Sequence, residues 1–198
     1  MSNRDNKPVP SSCGKAEFSI GGQFLEQKSG LIIILTGPGK GKTTAAFGQA
    51  MRAVGHGRRV LVIQFLKKIQ SGEVMAAARL KGLTVRQFGT GIFCDLNNPD
   101  PREIEMARLG LETVRQALSD GRYDMIILDE INVVLHHRLI PLGEFLQLIE
   151  RRPPYLDLIL TGRNAPVQLI ELADTVSEIA EVKHHRSVGI PARKGIEY

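Results

Sequence analysis

"TGPGKGKTT", Thr36 to Thr44, decides how this 198-residue chain is read. The usual phosphate-binding loop, G-x-x-x-x-G-K-[ST], has its first glycine five positions before the Gly-Lys pair. Counting back from Gly41-Lys42, that position holds Thr36 and the first glycine is Gly37, so the loop is one residue short. Its surroundings are still those of a phosphate loop. The β-branched run LIIILT (31–36) before it reads as a buried strand. GKTTAAFGQAMRAVGHG (41–57) after it reads as a helix, with Ala46, Phe47, Ala50, Met51 and Val54 on one face and Gly55 and Gly57 at its end. Glycines let the backbone wrap phosphate oxygens and present N–H groups at the positive end of a helix. Lys42 is then expected to reach the terminal phosphates, Thr43 to sit on Mg²⁺, and Lys40 to add a second cation. The plain alternative, a Gly/Lys-rich turn before an ordinary helix, leaves the ordered strand, loop, helix and Lys-Thr pair without a reason.

Further along, RRVLVIQFL (58–66) and LTVRQFG (83–89) read as strands around a helix at EVMAAARLKG (73–82). After a loop with Asn97, Asn98, Pro99 and Pro101, a long helix places Ile104, Arg108, Leu111, Val114 and Leu118 on one stripe, with the arginine stem as apolar cover. YDMIILDE (123–130) is a fourth strand ending in two carboxylates, the Walker B arrangement. Asp129 or Glu130 can hold a metal directly or through water, because Mg²⁺ favours hard oxygen ligands; Asp129 can alternatively cap the next helix. Helical pieces at INVVLHHRL (131–139) and PLGEFLQLIERRP (141–153) precede a strand LDLILTG (156–162), a helix APVQLIELA (165–173) and a last strand TVSEIAEV (175–182). The expected class is α/β: a RecA-like P-loop fold with a mostly parallel six-stranded sheet and helices on both faces.

Composition narrows the setting. An apolar fraction of 42% supports a real core. No run approaches the roughly 20 apolar residues that cross a bilayer, and the N-terminus lacks the apolar stretch of a secretory signal. Two cysteines, Cys13 and Cys94, make no disulfide framework, so free thiols in the cytoplasm are expected. Residues 1–29 read as a flexible arm with the option of folding over a ligand, and 30–198 as one nucleotide-binding domain. A formal charge of +5 suits a small polyanion as well as nucleic acid. The basic residues are scattered apart from VKHHRSVGIPARK (182–194), and nucleic acid is not the expected partner.

The chain resembles the P-loop ATP:corrinoid adenosyltransferases from about Gly30 to Tyr198. The resemblance rests on TGPGKGKTTAAFGQAMRAVGHG, VLVIQFLK, FGTG, MIILDEIN, LILTGRNAP, LIELADTVSEI, VKHH and the terminal GIEY. The short loop, TGRNAP after the fifth strand, and the VKH and GIEY tail are its distinctive parts. It implies a reaction at carbon: a Co(I) corrinoid attacks C5′ of ATP and expels triphosphate. The nucleotide would lie in the loop in the reverse sense, with the whole triphosphate held as leaving group. On this resemblance Gly37, Pro38, Gly39, Lys40, Gly41, Lys42, Thr43 and Thr44 form the triphosphate site, and Glu130 with Asp129 is the metal partner. Lys42, Thr43 and Glu130 carry the catalytic expectation. Asn132, Arg163 and Asn164 lie just past strand ends, where an open α/β sheet binds ligands. They are candidates for nucleotide or corrinoid contacts; helix capping for the asparagines and solvation for Arg163 are their plain alternatives. A homodimer and a reduced flavoprotein as electron donor are also implied.

The pattern departs in two places. The better-known enzymes of the family carry two aromatics separated by one residue after GTG, which help remove the lower ligand of cob(II)alamin. Here the stretch is Ile92-Phe93-Cys94, leaving Phe93 as the one candidate ring for the corrinoid. Ile92 packing on the corrin, a preference for another corrinoid and a plain core role for Phe93 are the alternatives. Arg193 stands where glutamine is common. Adjacent His184 and His185 are expected to point to opposite sides of an extended chain, which argues against a chelate and leaves His184 as a candidate for the corrinoid pocket. Two rivals stand beside the adenosyltransferase: a RecA-like ATPase acting on nucleic acid, and a nucleotide-gated corrinoid-binding protein.

Overall fold

The computed structural model describes residues 29–91 and 95–198. The arm, both cysteines and the Ile92-Phe93-Cys94 stretch therefore lie outside the described residues, apart from the arm's last residue, Ser29. Six strands form one sheet: β1 (Ile32–Thr36), β2 (Val60–Phe65), β3 (Leu83–Phe88), β4 (Met125–Asp129), β5 (Asp157–Thr161) and β6 (Thr175–Glu178). Their spatial order is β3-β2-β4-β5-β1-β6, and every pairing is parallel. The α/β expectation holds, with a sheet that is wholly parallel rather than mostly so.

Strand composition explains the layering. Every residue of β2 and β4 is buried, as expected for parallel strands covered on both faces. Side chains alternate across the sheet. On one face Leu61, Ile63, Phe65, Ile126 and Leu128 meet α3 (Pro101–Asp120), α4 (Ile131–His136) and α5 (Leu142–Glu150). On the other face Val60, Val62, Ile127 and Ile159 meet α1 (Lys42–Gly55) and Ala77 at the end of α2 (Gly72–Ala77). A sixth helix, α6 (Val167–Leu172), and a 3₁₀ turn (His185–Val188) follow.

Helix ends are set by local chemistry. The Asp100 side chain accepts from the Arg102 N–H at 2.8 Å and Pro101 opens α3, while Gly121 ends it in a left-handed conformation. Among the described residues no helix is long and apolar enough to cross a membrane.

Four details differ from the sequence reading. Met51 is 60% exposed, and Ala53 takes its place beside Ala46, Phe47 and Ala50 on the buried face of α1. Arg108 is exposed, and Ala107 is the residue that packs inward on α3. The rest of each stripe holds: Ala46, Phe47 and Ala50 on α1 and Leu111, Val114 and Leu118 on α3 are buried as expected, and only the one long side chain on each helix turns outward. The second helix stops at Ala77 instead of reaching Gly82. β6 ends at Glu178 and all four of its residues are exposed, so it is a short edge rather than a core strand.

Candidate nucleotide site

Four strand ends bring the site together at the carboxyl edge of the sheet. β1 delivers the loop, β4 delivers Asp129 and Glu130, β5 delivers Thr161 and Arg163, and β2 delivers Lys67. One strand, β5, separates β1 from β4, so Thr43 and Asp129 meet across it.

The loop is shaped from below. Gly39 N–H donates to the Ile179 carbonyl at 2.7 Å, and Ile179 N–H donates to the Thr36 carbonyl at 2.9 Å. A Cβ on Gly39 would lie 2.5 Å from the Ala180 carbonyl oxygen, so no larger residue fits against this segment. Gly41, with φ of 115°, turns the chain into α1. No side chain caps α1 and no acidic residue occupies its first turn, an arrangement that suits an anion.

Lys42 is buried and folds back over the loop, donating to the carbonyls of Gly37 at 2.7 Å and Gly39 at 2.6 Å. Burial is the largest influence on its ammonium and lowers its pKa, with Arg163 adding to the fall while Glu130, Asp129 and Glu181 oppose it. Thr43 Oγ donates to Asp129 Oδ1 at 2.9 Å. Thr161 Oγ also donates to Asp129 Oδ1, at 2.7 Å, and accepts from the Glu130 N–H at 3.0 Å. Gln64 donates to Asp129 Oδ2 at 3.0 Å, and Lys67 pairs with the same oxygen at 2.7 Å. Burial alone would raise the Asp129 pKa, but the charge of Lys67 and the bonds from Lys67, Thr161 and Gln64 hold the carboxyl below its ordinary value.

Glu130 sits in a left-handed conformation, φ 64°, at the start of α4. Its side chain lines the cleft and lies 4.0 Å from Lys67. Burial dominates here and raises its carboxyl above the ordinary 4.5; Asp129 adds to the rise, while Lys67, Lys42 and Arg163 pull down. Ionising Glu130 is thus harder in the fold than in the unfolded chain, which lowers stability above about pH 4.5 and not below it. Glu130→Gln is accordingly expected to melt at a higher temperature than the wild type at pH 8, with the gap closing below pH 4.5. Melting curves at the two pH values check this; a variant less stable at pH 8 contradicts it.

The remaining candidates fall in different places. Arg163 donates to the Pro38 carbonyl at 3.1 Å and lines the cleft. Thr44 also faces it. Asn132 is fully buried and is not among the cleft's lining; its Nδ2 donates to the Gly162 carbonyl at 3.1 Å, and its Oδ1 has no partner among the described residues. Asn164 is exposed, supplying a left-handed turn with φ of 55° that asparagine tolerates. Phe93 lies outside the described residues.

Lys40 also lines the cleft, where it is engaged with the C-terminal tail. It pairs with the Glu197 carboxylate and donates to the Ile196 carbonyl at 2.8 Å. Glu197 also accepts from the Arg193 N–H at 2.6 Å and meets His185 at 3.3 Å. The GIEY tail is thereby docked at the mouth of the site. His184 and His185 do not splay apart as expected: the chain enters a 3₁₀ turn there, His184 Nδ1 accepts from the Arg186 N–H, and the rings stack at 4.4 Å. Both histidines line an open cleft of about 1010 Å³ whose floor is the loop and whose far wall is the tail.

Sequence reasoning missed Lys67, Thr161 and Gln64. The available signal was position: each lies at or next to the carboxyl end of a strand, the functional edge of an open parallel sheet.

Fold and site together define a P-loop NTPase-like α/β protein. The family described as ATP:corrinoid adenosyltransferase BtuR/CobO/CobP matches residues 28–198, and the chain belongs to that family. It is 39% identical over 175 residues to a corrinoid adenosyltransferase of Escherichia coli K12, covering 87% of this chain and 88% of the relative. It is 37% identical over 175 residues to the corrinoid adenosyltransferase CobA of Salmonella typhimurium, with the same coverage. A corrinoid adenosyltransferase of Pseudomonas aeruginosa is 36% identical over 171 residues, covering 85% of this chain and 84% of the relative.

Proposed function

We propose that this chain holds ATP by its triphosphate in the short loop, with C5′ of the ribose turned outward into the cleft. As a member of its family the chain is an ATP:corrinoid adenosyltransferase. The electron pair of a Co(I) corrinoid forms the Co–C bond to C5′. The C5′–O bond breaks, and its pair leaves on the triphosphate. No protein nucleophile or general base is required. The chain's part is to stabilise charge on the leaving group and to align the two reactants.

The observation that carries this reading is Lys42 bonded to two loop carbonyls beside a helix start with no side-chain cap, on the floor of a 1010 Å³ cleft. That volume is at the upper end of the roughly 300–1,000 Å³ typical of small-molecule sites, room for more than a nucleotide. Gly37, Pro38, Gly39, Gly41, Thr44 and Arg163 complete the triphosphate cradle, and Lys40 would join it on release from Glu197.

Mg²⁺ fits the donors present: the Thr43 hydroxyl and the carboxylates of Asp129 and Glu130 are hard oxygens gathered at one strand edge. Bound there, it would offset the triphosphate's charge. A homodimer, a reduced flavoprotein donor and a cytoplasmic setting complete the reading on family resemblance. So does residues 30–198 acting as the transferase unit, with the arm before them.

Incubation with ATP, Mg²⁺ and chemically reduced cobalamin tests it, with adenosylated corrinoid and intact triphosphate expected. ADP and phosphate formation stimulated by nucleic acid would favour a RecA-like ATPase instead. Tight corrinoid binding without turnover would favour a delivery protein. A narrower expectation concerns Phe93: Phe93→Ala should impair reaction from cob(II)alamin with a reductase more than from prereduced cob(I)alamin. Equal losses would deny this ring a reductive role.

A further inference from the structure

Lys67 reaches all three groups assigned to the metal. Its Nζ lies 3.0 Å from Thr43 Oγ, 2.7 Å from Asp129 Oδ2 and 4.0 Å from Glu130 Oε1. The backbone is bent to aim it there. Leu66 takes φ of 57°, a left-handed conformation that leucine rarely adopts and that marks stored strain. The bend passes so close to Gly89 that a Cβ there would lie 2.4 Å from the Lys67 backbone nitrogen. A second chain of bonds holds the same carboxylate oxygen: Gln87 donates to the Ile69 carbonyl and to Gln64 Oε1, and Gln64 donates to Asp129 Oδ2. The Lys67 side chain is 31% exposed and lines the cleft, so its ammonium has a path outward.

We propose that Lys67 is a built-in cation of the metal position, competing with a divalent ion for the oxygens of Thr43 and Asp129 and so setting when that ion enters. The inference rests on the metal assignment above and goes beyond it. A divalent ion between Thr43 and Asp129 would lie where the ammonium now lies, and the two like charges cannot share the spot. An arriving triphosphate changes the balance, because it brings several negative charges and gives the displaced ammonium a new partner in the cleft. Lys67 thereby makes metal entry depend on triphosphate and keeps the buried Asp129 carboxylate paired without it. It is a positioning residue that acts through Asp129 and Thr43.

Equilibrium dialysis of Mn²⁺ against the full chain and its Lys67→Met variant, with and without tripolyphosphate, tests this. If the ammonium holds the position more than nine-tenths of the time, removing it should tighten Mn²⁺ binding without tripolyphosphate by about tenfold or more. Tripolyphosphate should then promote Mn²⁺ uptake less in the variant than in the wild type. Thermal melts give an independent reading: Mn²⁺ should raise the melting temperature of Lys67→Met more than that of the wild type, since the ion replaces a lost partner of Asp129. A merely structural lysine would give the opposite, weaker binding in the variant. Equal or weaker Mn²⁺ binding by Lys67→Met, while wild type with tripolyphosphate still takes up the ion, overturns the inference and leaves the metal assignment standing. No uptake by either chain under any condition overturns the metal assignment, and this inference with it. Should Lys67→Met fail to fold, Lys67→Gln is read by the same criteria.

Discussion

Lys42→Ala is expected to lower adenosyl transfer by at least the roughly 10²–10³-fold seen when one preorganised donor to a developing anion is removed. The side chain leaves α1 at its first turn and returns over the loop to the carbonyls of Gly37 and Gly39. Its ammonium is therefore fixed before any substrate arrives and needs no reorganisation as the C5′–O bond breaks. Alanine removes that charge and also strips two loop carbonyls of their donor, so a modest fall in melting temperature should accompany the loss. Single-turnover formation of the Co–C bond, with prereduced corrinoid and saturating ATP, separates the chemical step from nucleotide binding. Near-normal turnover in that assay would remove the loop from the reaction. Lys42→Arg should rescue little, because the planar fork does not fit a buried slot between two carbonyls made for a compact ammonium.

Asp129→Ala is expected to lose both stability and activity. The carboxylate is fully buried and takes hydrogen bonds from Thr43, Thr161, Gln64 and Lys67. Removing one partner of a buried ion pair costs about 3–5 kcal/mol; because Lys67 keeps a path to solvent, the lower end is expected here. The pH dependence follows from the sign of its shift. Its folded value lies below the ordinary 3.8, so its contribution is present above that pH and fades as pH falls through the lower folded value. Urea denaturation at neutral and strongly acidic pH should show a large wild-type advantage that shrinks in acid. Asp129→Asn preserves shape and one acceptor, so it should retain more stability while still losing the charge that a metal requires. An alanine variant as stable as the wild type would contradict the buried network.

Much of this was legible beforehand. The β-branched runs that became β1, β2 and β4 carry their own signal, and the Gly-Lys-Thr and Asp-Glu pairs mark which strand ends matter. What was not legible depends on contacts between distant residues or on one-position geometry. Nothing near Lys40 in sequence foretells its pairing with Glu197, which lies 157 positions away. Lys67 reads as one more scattered base because leucine gives no hint that Leu66 will turn left-handed. Met51 and Arg108 were placed inward by periodicity, whereas Ala53 and Ala107 are the residues that the two helices bury. The stacked histidines were not legible because the chain is extended only as far as His184 and turns tightly from His185.

The edge strand β6 has a consequence for dynamics. Its residues are exposed, while the segment just after it supports the underside of the loop through Ile179 and Ala180. The substrate grip thus leans on the least protected margin of the sheet, far from the dense packing around β2 and β4. Fraying of that margin would loosen the grip while the interior stays folded, so amide exchange at residues 175–180 should slow when triphosphate binds, with the central strands little changed.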